Sequence, residues 1–158
     1  MKILDIPLLL NSNNISTDIN ELLNNYFSNV LSFEYKCESC KKISDVTKRM
    51  LITRPPSILI LSLQRFDQKK NEKNNCYVEF PSKLDLFRYI DSEYGFGESS
   101  EYILYATVNH SGKMNLGHDF SYINLNNTNW CEFNDSKVYN IYEEIKKDLA
   151  YILFYIKI

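Results

Sequence analysis

Apolar and polar residues alternate along much of this chain, which is typical of β-strands. The alternation runs through residues 2–10 and 46–52. The segment "PPSILILSLQRF" is an almost continuous apolar run after two prolines, and it predicts a strand buried on both faces. Five further segments rich in aromatic and β-branched residues predict strands: "CYVEF", "YILYATVNH", "HDFSYINL", "WCEF" and "AYILFYIKI".

One segment near the N-terminus, "STDINELLNNYF", has helical spacing instead. Four apolar residues fall on one face of this helix: Ile19, Leu22, Leu23 and Tyr26. Asp18 followed by Glu21 predicts a capping box at its start. Residues 67–75 and 91–100 are polar and predict surface loops, and "NNTN" at 126–129 predicts a turn. The pattern therefore predicts an α+β fold, a mainly antiparallel sheet with one clear N-terminal helix.

Composition narrows the class of protein without identifying a function. The 158 residues are 44% hydrophobic and 14% aromatic, which is enough for one domain with a core. The net charge is -2, and no block of Lys and Arg interleaves with the aromatics, so we expect neither nucleic acid nor a membrane as partner. The start reads as a strand and not as a signal peptide. Four cysteines without a secretory signal predict an intracellular protein, in the cytoplasm or nucleus.

Cys37 and Cys40 have the C-x-x-C spacing, "CESC", of two adjacent ligands in a zinc tetrahedron. No second C-x-x-C exists in the sequence, so the pair is half of a zinc site or two plain thiols. A thioredoxin-like redox pair fits less well, because no βαβ pattern surrounds it. Cys76 and Cys131 are isolated within strand patterns, where buried, inert thiols are usual. We expect no organic cofactor.

The two histidines of the chain lie close together in "HSGKMNLGHDFSYI", at positions 110 and 118. They allow three interpretations. The first is a metal pair, for which Asp119 is the only nearby further ligand. The second is a general base, which needs a neighbour to fix its tautomer, with Asn134 and Asp135 as candidates. The third is a hairpin that contains two structural histidines.

Five segments, which occur in this order, favour the interpretation as a general base: "ILILSLQRF", "EYILYATVNHSG", "GHDFSYI", "W-x-x-F-N-D-S-x-V" and "AYILFY". Together they closely resemble the C-terminal half of the catalytic domain of the ubiquitin-specific proteases. Upstream, "ILDIPLLL" and "YKCESC" resemble the stretch that leads to the second cysteine pair of that family's zinc-binding fingers. The resemblance covers nearly the whole chain. It implies the papain-like cysteine protease fold, with the C-terminal palm and part of the fingers, and cysteine-type deubiquitinase activity on ubiquitin or ubiquitinated proteins.

The resemblance also implies roles for individual residues. His118 matches the catalytic histidine, and Asn134 matches the triad member that orients it. Asp135 matches an adjacent acidic position that assists. Cys37 and Cys40 match half of the family's zinc site. His110 matches the histidine that opens the loop before the catalytic one, which implies a structural or loop-positioning role.

The sequence also departs from the family. The family's nucleophile lies in a Cys box of the "GNTCY" type, and this sequence contains neither that box nor a first cysteine pair. We therefore expect residues 1–158 to form a partial catalytic domain without the Cys-box half. The alternative is an inactive remnant that binds ubiquitin or another partner. Asp119 stands where the family has a large aromatic residue, which puts the local packing in question.

One geometric expectation follows from the period of two along a strand. A four-residue hairpin at 126–129 would place His118 and Asn134 on opposite faces of the sheet. A catalytic pair therefore requires a five-residue connection, a bulge, or an Asn134 beyond the regular strand. We predict that one of these brings the two side chains within reach.

Overall fold

The structure, a computed structural model, describes residues 3–11, 13–28, 31–67, 70–95, 97–125, 128–142 and 144–158. The first half of the described chain contains β1 (Ile3–Leu9), β2 (Ser16–Asp18), α1 (Ile19–Ser28), β3 (Leu31–Lys36), β4 (Ile43–Lys48), β5 (Ile58–Gln64), β6 (Phe66–Asp67) and β7 (Glu72–Lys73). The second half contains β8 (Tyr77–Glu79), β9 (Lys83–Asp85), a 3₁₀ turn (Phe87–Tyr89), β10 (Glu101–Lys113), β11 (Leu116–Leu125), β12 (Asn129–Asn134), β13 (Lys137–Ile141) and β14 (Ala150–Lys157). None of the described helices is long and apolar enough to span a bilayer.

Eight of these strands form one sheet in the order β1-β5-β14-β10-β11-β12-β13, with β9 paired to the start of β10. Within this sheet only β1 and β5 pair in parallel, so the sheet is mainly antiparallel, as predicted. Three short pairs lie outside it: β2 with β8, β3 with β4, and β6 with β7. The strand pattern predicted the central strands, whereas it missed β13, whose residues are exposed except for the half-buried Ile141.

Helix α1 covers the core face of the sheet. Asp18 caps it, since one oxygen of its carboxylate accepts hydrogen bonds from the backbone N–H groups of Asn20 (2.8 Å) and Glu21 (3.0 Å). Glu21 accepts a bond from the Thr17 hydroxyl at 2.7 Å instead of closing the predicted box. The helix begins at Ile19, directly after the predicted cap, and residues 16–18 of the predicted helical segment pair with β8 instead. The core includes Phe27, which stacks on Tyr89, whereas the predicted Tyr26 is only half-buried.

Strand β5 is not buried on both faces, contrary to the prediction. Leu59, Leu61 and Leu63 are buried in the core, and the residues between them are half-buried. The core is therefore one layer on one face of the sheet, covered by α1 and by the segment that carries Val78, Phe80 and Leu86. The opposite face carries apolar residues that are only partly covered.

A β-bulge at Tyr105 changes which residues of β10 face this core. Leu104 pairs with Tyr155 and Ala106 pairs with Phe154, so Tyr105 is an extra residue in β10. Before the bulge, even-numbered residues such as Leu104 point to the core. After it, Thr107 pairs with the buried Leu153, and the odd-numbered residues point to the core instead.

Candidate active site

His118 and Asn134 meet at the edge of the core face. The Nε2 atom of His118 lies 2.7 Å from Oδ1 of Asn134, a hydrogen-bonding distance. His118 is exposed on β11, and Asn134 is half-buried at the end of β12. Ser111 lies opposite His118 in the ladder, and Thr107 lies opposite Tyr122, so the shift at Tyr105 puts His118 on the core face. The predicted contact between His118 and Asn134 is present.

The connection between β11 and β12 that permits this contact is shorter than expected. Leu125 pairs with Asn129, so three residues separate the strands, and residues 126 and 127 of the predicted turn lie outside the described residues. An odd number of connecting residues puts even-numbered positions of both strands on one face. We predicted a five-residue connection, a bulge or an Asn134 beyond the regular strand, and this prediction is wrong. A three-residue connection places His118 and Asn134 on the same face instead.

Asn134 has a second partner on its own strand. Its Nδ2 group donates a hydrogen bond to Oε1 of Glu132 at 3.0 Å. Glu132 is half-buried, two residues before Asn134, and both side chains therefore lie on the same face of β12. A chain of three polar side chains thus runs from Glu132 through Asn134 to His118.

His110 is buried, and it faces away from His118. Its ring packs edge-on against Phe66 (ring centroids 5.1 Å apart) and Tyr151 (6.4 Å). In the ladder His110 pairs with Asp119, whereas His118 pairs with Ser111, so the two imidazoles lie on opposite faces of the hairpin. The alternative of a histidine metal pair is therefore wrong, and the described residues contain no group of three or more metal-binding side chains.

The His110 ring packs directly against Gly117, on the strand that carries His118. A Cβ atom at position 117 would lie 1.9 Å from Nε2 and 2.3 Å from Cε1 of His110. Contacts this short are not tolerated, so an alanine would force the imidazole or the strand to move. The glycine before His118 thus makes room for the other histidine.

We expect Gly117→Ala to lower the free energy of unfolding by about 1–3 kcal/mol, the usual cost of overpacking. Urea unfolding of the purified chain measures this loss. The matched control is the same substitution in a His110→Ala background, which removes the ring from this space. There Gly117→Ala should cost less, because no imidazole atom meets the new Cβ. Equal losses in the two backgrounds would show that the His110 contact does not matter.

Lys73 joins the β6–β7 pair to the hairpin that carries the histidines. Its Nζ donates to the carbonyl oxygens of His110 (2.6 Å) and Gly112 (3.4 Å). Nearby, the amide of Asn115 donates to Oδ1 of Asn71 at 2.6 Å. The predicted loop at 67–75 is thus partly ordered by β6 and β7 and holds the β10–β11 hairpin. The sequence pattern contained no signal for this contact.

Asp119 belongs to the His110 side of the hairpin and not to the His118 side. Burial lowers the pKa of Lys73, as does the charge of Arg65, and the charge of Asp119 partly offsets this. Burial raises the pKa of Tyr151, and the charge and hydrogen bonding of Asp119 raise it further. Asp119 therefore acts on Lys73 and Tyr151, on the face opposite the candidate base.

Asp135 does not contact His118. It is exposed in the two-residue turn between β12 and β13, with φ at 52°, a conformation that Asp tolerates better than most residues. No hydrogen bond or ion pair joins these two described residues. Assistance from Asp135 would require an effect of its charge at longer range.

Cys37 and Cys40 lie in the turn of the β3–β4 hairpin, Cys37 half-buried and Cys40 exposed. The Cys37 N–H donates to the carbonyl of Lys42 (2.9 Å), and its own carbonyl accepts from Lys41 (2.8 Å). Hydrogen bonds from the backbone of Cys40 and Ser39 lower the pKa of the Cys37 thiol. This knuckle suits two thiolates on one metal ion, and it provides two of the four ligands that a structural zinc site needs.

The remaining cysteines are buried, as predicted. Burial raises the pKa of the Cys76 thiol, which is unfavourable for a nucleophile, although the charge of Arg65 partly offsets it. Cys131 lies at an odd-numbered position of β12, on the face opposite Asn134, and its Sγ lies 3.3 Å from Oδ1 of Asn140. Cys76 is therefore in an environment that disfavours the thiolate, and Cys131 lies on the face opposite His118.

Comparison with known proteins identifies the family. The sequence profile described as "Ubiquitin carboxyl-terminal hydrolase" matches residues 8–155. The chain belongs to this family. Ubiquitin carboxyl-terminal hydrolase 8 of Arabidopsis thaliana is 40% identical over 124 residues, which are 75% of this chain and 14% of the relative. Ubiquitin carboxyl-terminal hydrolase 8 of Saccharomyces cerevisiae is 35% identical over 134 residues, 78% of this chain and 28% of the relative.

A solved structure contains a chain with a similar fold. The SAGA DUB module of Ubp8, Sgf11, Sus1 and Sgf73 bound to monoubiquitin contains a chain that matches with a TM-score of 0.78 and 30% identity. The match covers 97% of this chain and 35% of that chain. The predicted family and papain-like α+β fold are thereby confirmed. This member of the family corresponds to the C-terminal half of the catalytic domain, and it spans about a third or less of the relatives it matches.

Proposed function

We propose that this chain is the base-carrying half of a cysteine-type deubiquitinase, which hydrolyses the bond after the C-terminal glycine of ubiquitin. The observation that carries the proposal is the 2.7 Å contact between His118 and Asn134 on one face of the sheet. Membership of the ubiquitin carboxyl-terminal hydrolase family supports the substrate class. The solved relatives bound to monoubiquitin and to ubiquitin aldehyde support ubiquitin as the partner.

In the proposed reaction a cysteine from outside this chain attacks the carbonyl carbon of the terminal glycine. His118 takes the proton of that thiol and later donates it to the leaving lysine amine. The acyl thioester is then hydrolysed by water, with His118 again accepting the proton. Asn134 accepts a hydrogen bond from Nε2 and leaves Nδ1 of the same ring free to exchange protons with the nucleophile. The nucleophile and the oxyanion hole belong to the Cys-box half in this proposal.

The second candidate function is ubiquitin binding without cleavage. One observation favours it: the sequence has no Cys box, and two of its four cysteines, Cys76 and Cys131, are buried. Exposed aromatic residues on the β3–β4 hairpin, Phe33 and Tyr35, offer apolar contact area for a protein partner.

Two measurements on the purified chain test the proposal. Titration of fluorescently labelled ubiquitin should show saturable binding, which both candidate functions require. A ubiquitin probe with an electrophile at its C-terminus should bind without forming a covalent adduct, because a nucleophile is lacking. Absence of binding would contradict both functions, and a covalent adduct at any of the four cysteines would contradict the assignment of the nucleophile to another segment.

We propose further that Cys37 and Cys40 hold one half of a structural zinc site. Co²⁺ serves as a spectroscopic substitute, because it gives thiolate-to-metal absorption. We expect this absorption in the native chain and its loss in the Cys37→Ser, Cys40→Ser double variant. Binding should weaken as the pH falls, since protons compete for the thiolates, but the lowered pKa of Cys37 should extend binding to lower pH. Cys76→Ser is the matched control, and equal absorption in the double variant would contradict the site.

A further inference from the structure

Glu132 forms a hydrogen bond with Asn134, the side chain that contacts His118. On β12 it stands two residues before Asn134, and its Oε1 accepts the 3.0 Å hydrogen bond from Nδ2 of Asn134. In the ladder Glu132 lies opposite Tyr122, which is buried on the core face. Burial raises the pKa of Tyr122, and the charge of Glu132 raises it further, as expected for a carboxylate on that same face.

The chemistry of the three groups leaves one arrangement of their hydrogen bonds. An ionised carboxylate only accepts hydrogen bonds, so the NH₂ group of Asn134 must face Glu132. The carbonyl oxygen of the same amide then faces His118, and Nε2 of His118 must carry the proton in this contact. Without Glu132, the amide could rotate by half a turn and present its NH₂ group to the imidazole.

We propose that Glu132 is a positioning residue, which fixes the amide of Asn134 and thereby the tautomer and orientation of the His118 ring. Its significance for catalysis rests on the proposed function, but the hydrogen-bond arrangement does not. The carboxylate also places a negative charge one side chain away from the imidazolium that forms when His118 accepts a proton. Glu132 thus fills the place that the sequence analysis assigned to Asp135, which does not contact the site.

Imidazole NMR on the ¹⁵N-labelled full chain tests this directly, because the chain contains only two histidines. In the native chain we expect a hydrogen-bonded Nε2–H signal from His118. Glu132→Ala should speed the solvent exchange of this proton about tenfold, because an amide that the carboxylate no longer holds leaves the Nε2–H of His118 without its acceptor for part of the time. In the same variant, the neutral imidazole of His118 should also shift toward the Nδ1–H tautomer. Glu132→Gln should recover part of the protection, because its amide oxygen still accepts from Asn134.

Asp135→Asn is the matched control, as it removes a carboxylate from the same hairpin. It should leave the His118 signals unchanged. The inference is overturned if Glu132→Ala retains native exchange and tautomer, or if Asp135→Asn produces the same changes. Backbone amide spectra show whether each variant is folded, and the isosteric Glu132→Gln decides the question if the alanine variant unfolds. Failure to bind ubiquitin would contradict the proposed function and leave this result intact.

Discussion

His118→Ala is expected to lower kcat/KM for ubiquitin hydrolysis by about 10²–10⁴-fold, the usual contribution of a general acid–base group. The measurement uses a catalytic domain in which the Cys-box half of a family member is joined to this chain. Without the imidazole, the proposed reaction lacks the group that accepts the thiol proton and protonates the leaving amine. Added imidazole should restore part of the activity, because it replaces the missing group without changing the fold.

Asn134→Ala should reduce the same rate less, since it frees the ring without removing it. Asn129→Ala is its matched control, at the exposed start of the same strand. It should leave the rate within about twofold, as expected for a surface substitution. A joined domain that loses its nucleophilic cysteine should be as inactive as His118→Ala. Full activity in His118→Ala would exclude this histidine as the base.

Arg65→Leu should have the largest effect on stability, a loss of about 3 kcal/mol or more in the free energy of unfolding. Arg65 is 1% exposed. Its Nε donates to the carbonyl of Ala150 at 2.7 Å, and its Nη1 donates to those of Cys76 (2.6 Å) and Asn74 (3.1 Å). Leucine would leave three carbonyls without this donor, and each bond to a charged group contributes on the order of 1.5–3 kcal/mol before the cost of burying the charge is subtracted.

Urea unfolding measures the loss, with Arg54→Leu as the control, because Arg54 is exposed. The control should stay within about 0.5 kcal/mol of the native chain. Arg65→Lys should be intermediate, since a lysine keeps the charge but lacks the fork of donors that reaches separate carbonyls. If Arg65→Leu is as stable as the native chain, the cost of burying the cation cancels its hydrogen bonds.

The strands that the sequence predicted are those with a strong apolar pattern. β10 and β14 were recognisable because their apolar runs are long, and α1 because Asp18 marks its start. β13 was missed because four of its five residues are exposed, so no alternation of buried and exposed positions marks it. The burial of β5 was overestimated, because a run of apolar residues does not reveal whether the second face is covered.

The sequence predicted two residues of the candidate site, but it did not predict how the strands bring them together. Motif resemblance led to His118 and Asn134, whose contact is present, whereas their roles remain predictions. The length of the β11–β12 connection and the partner of Asn134 depend on pairing between distant residues, which local pattern does not contain. Glu132 looked like an ordinary strand residue, and Asp135 attracted attention only by its position in the motif.

The bulge at Tyr105 has a consequence for how this domain tolerates insertions and deletions. Changes of length are usually accepted in loops and are usually harmful in central strands because they disturb packing. Here the extra residue in β10 also decides the side of the sheet on which His118 stands. Loss of one residue at Tyr105 would leave every side chain of the site in the sequence, yet turn His118 and Asn134 together away from the side where the core lies. The site therefore depends on the number of residues in β10 as much as on their identity.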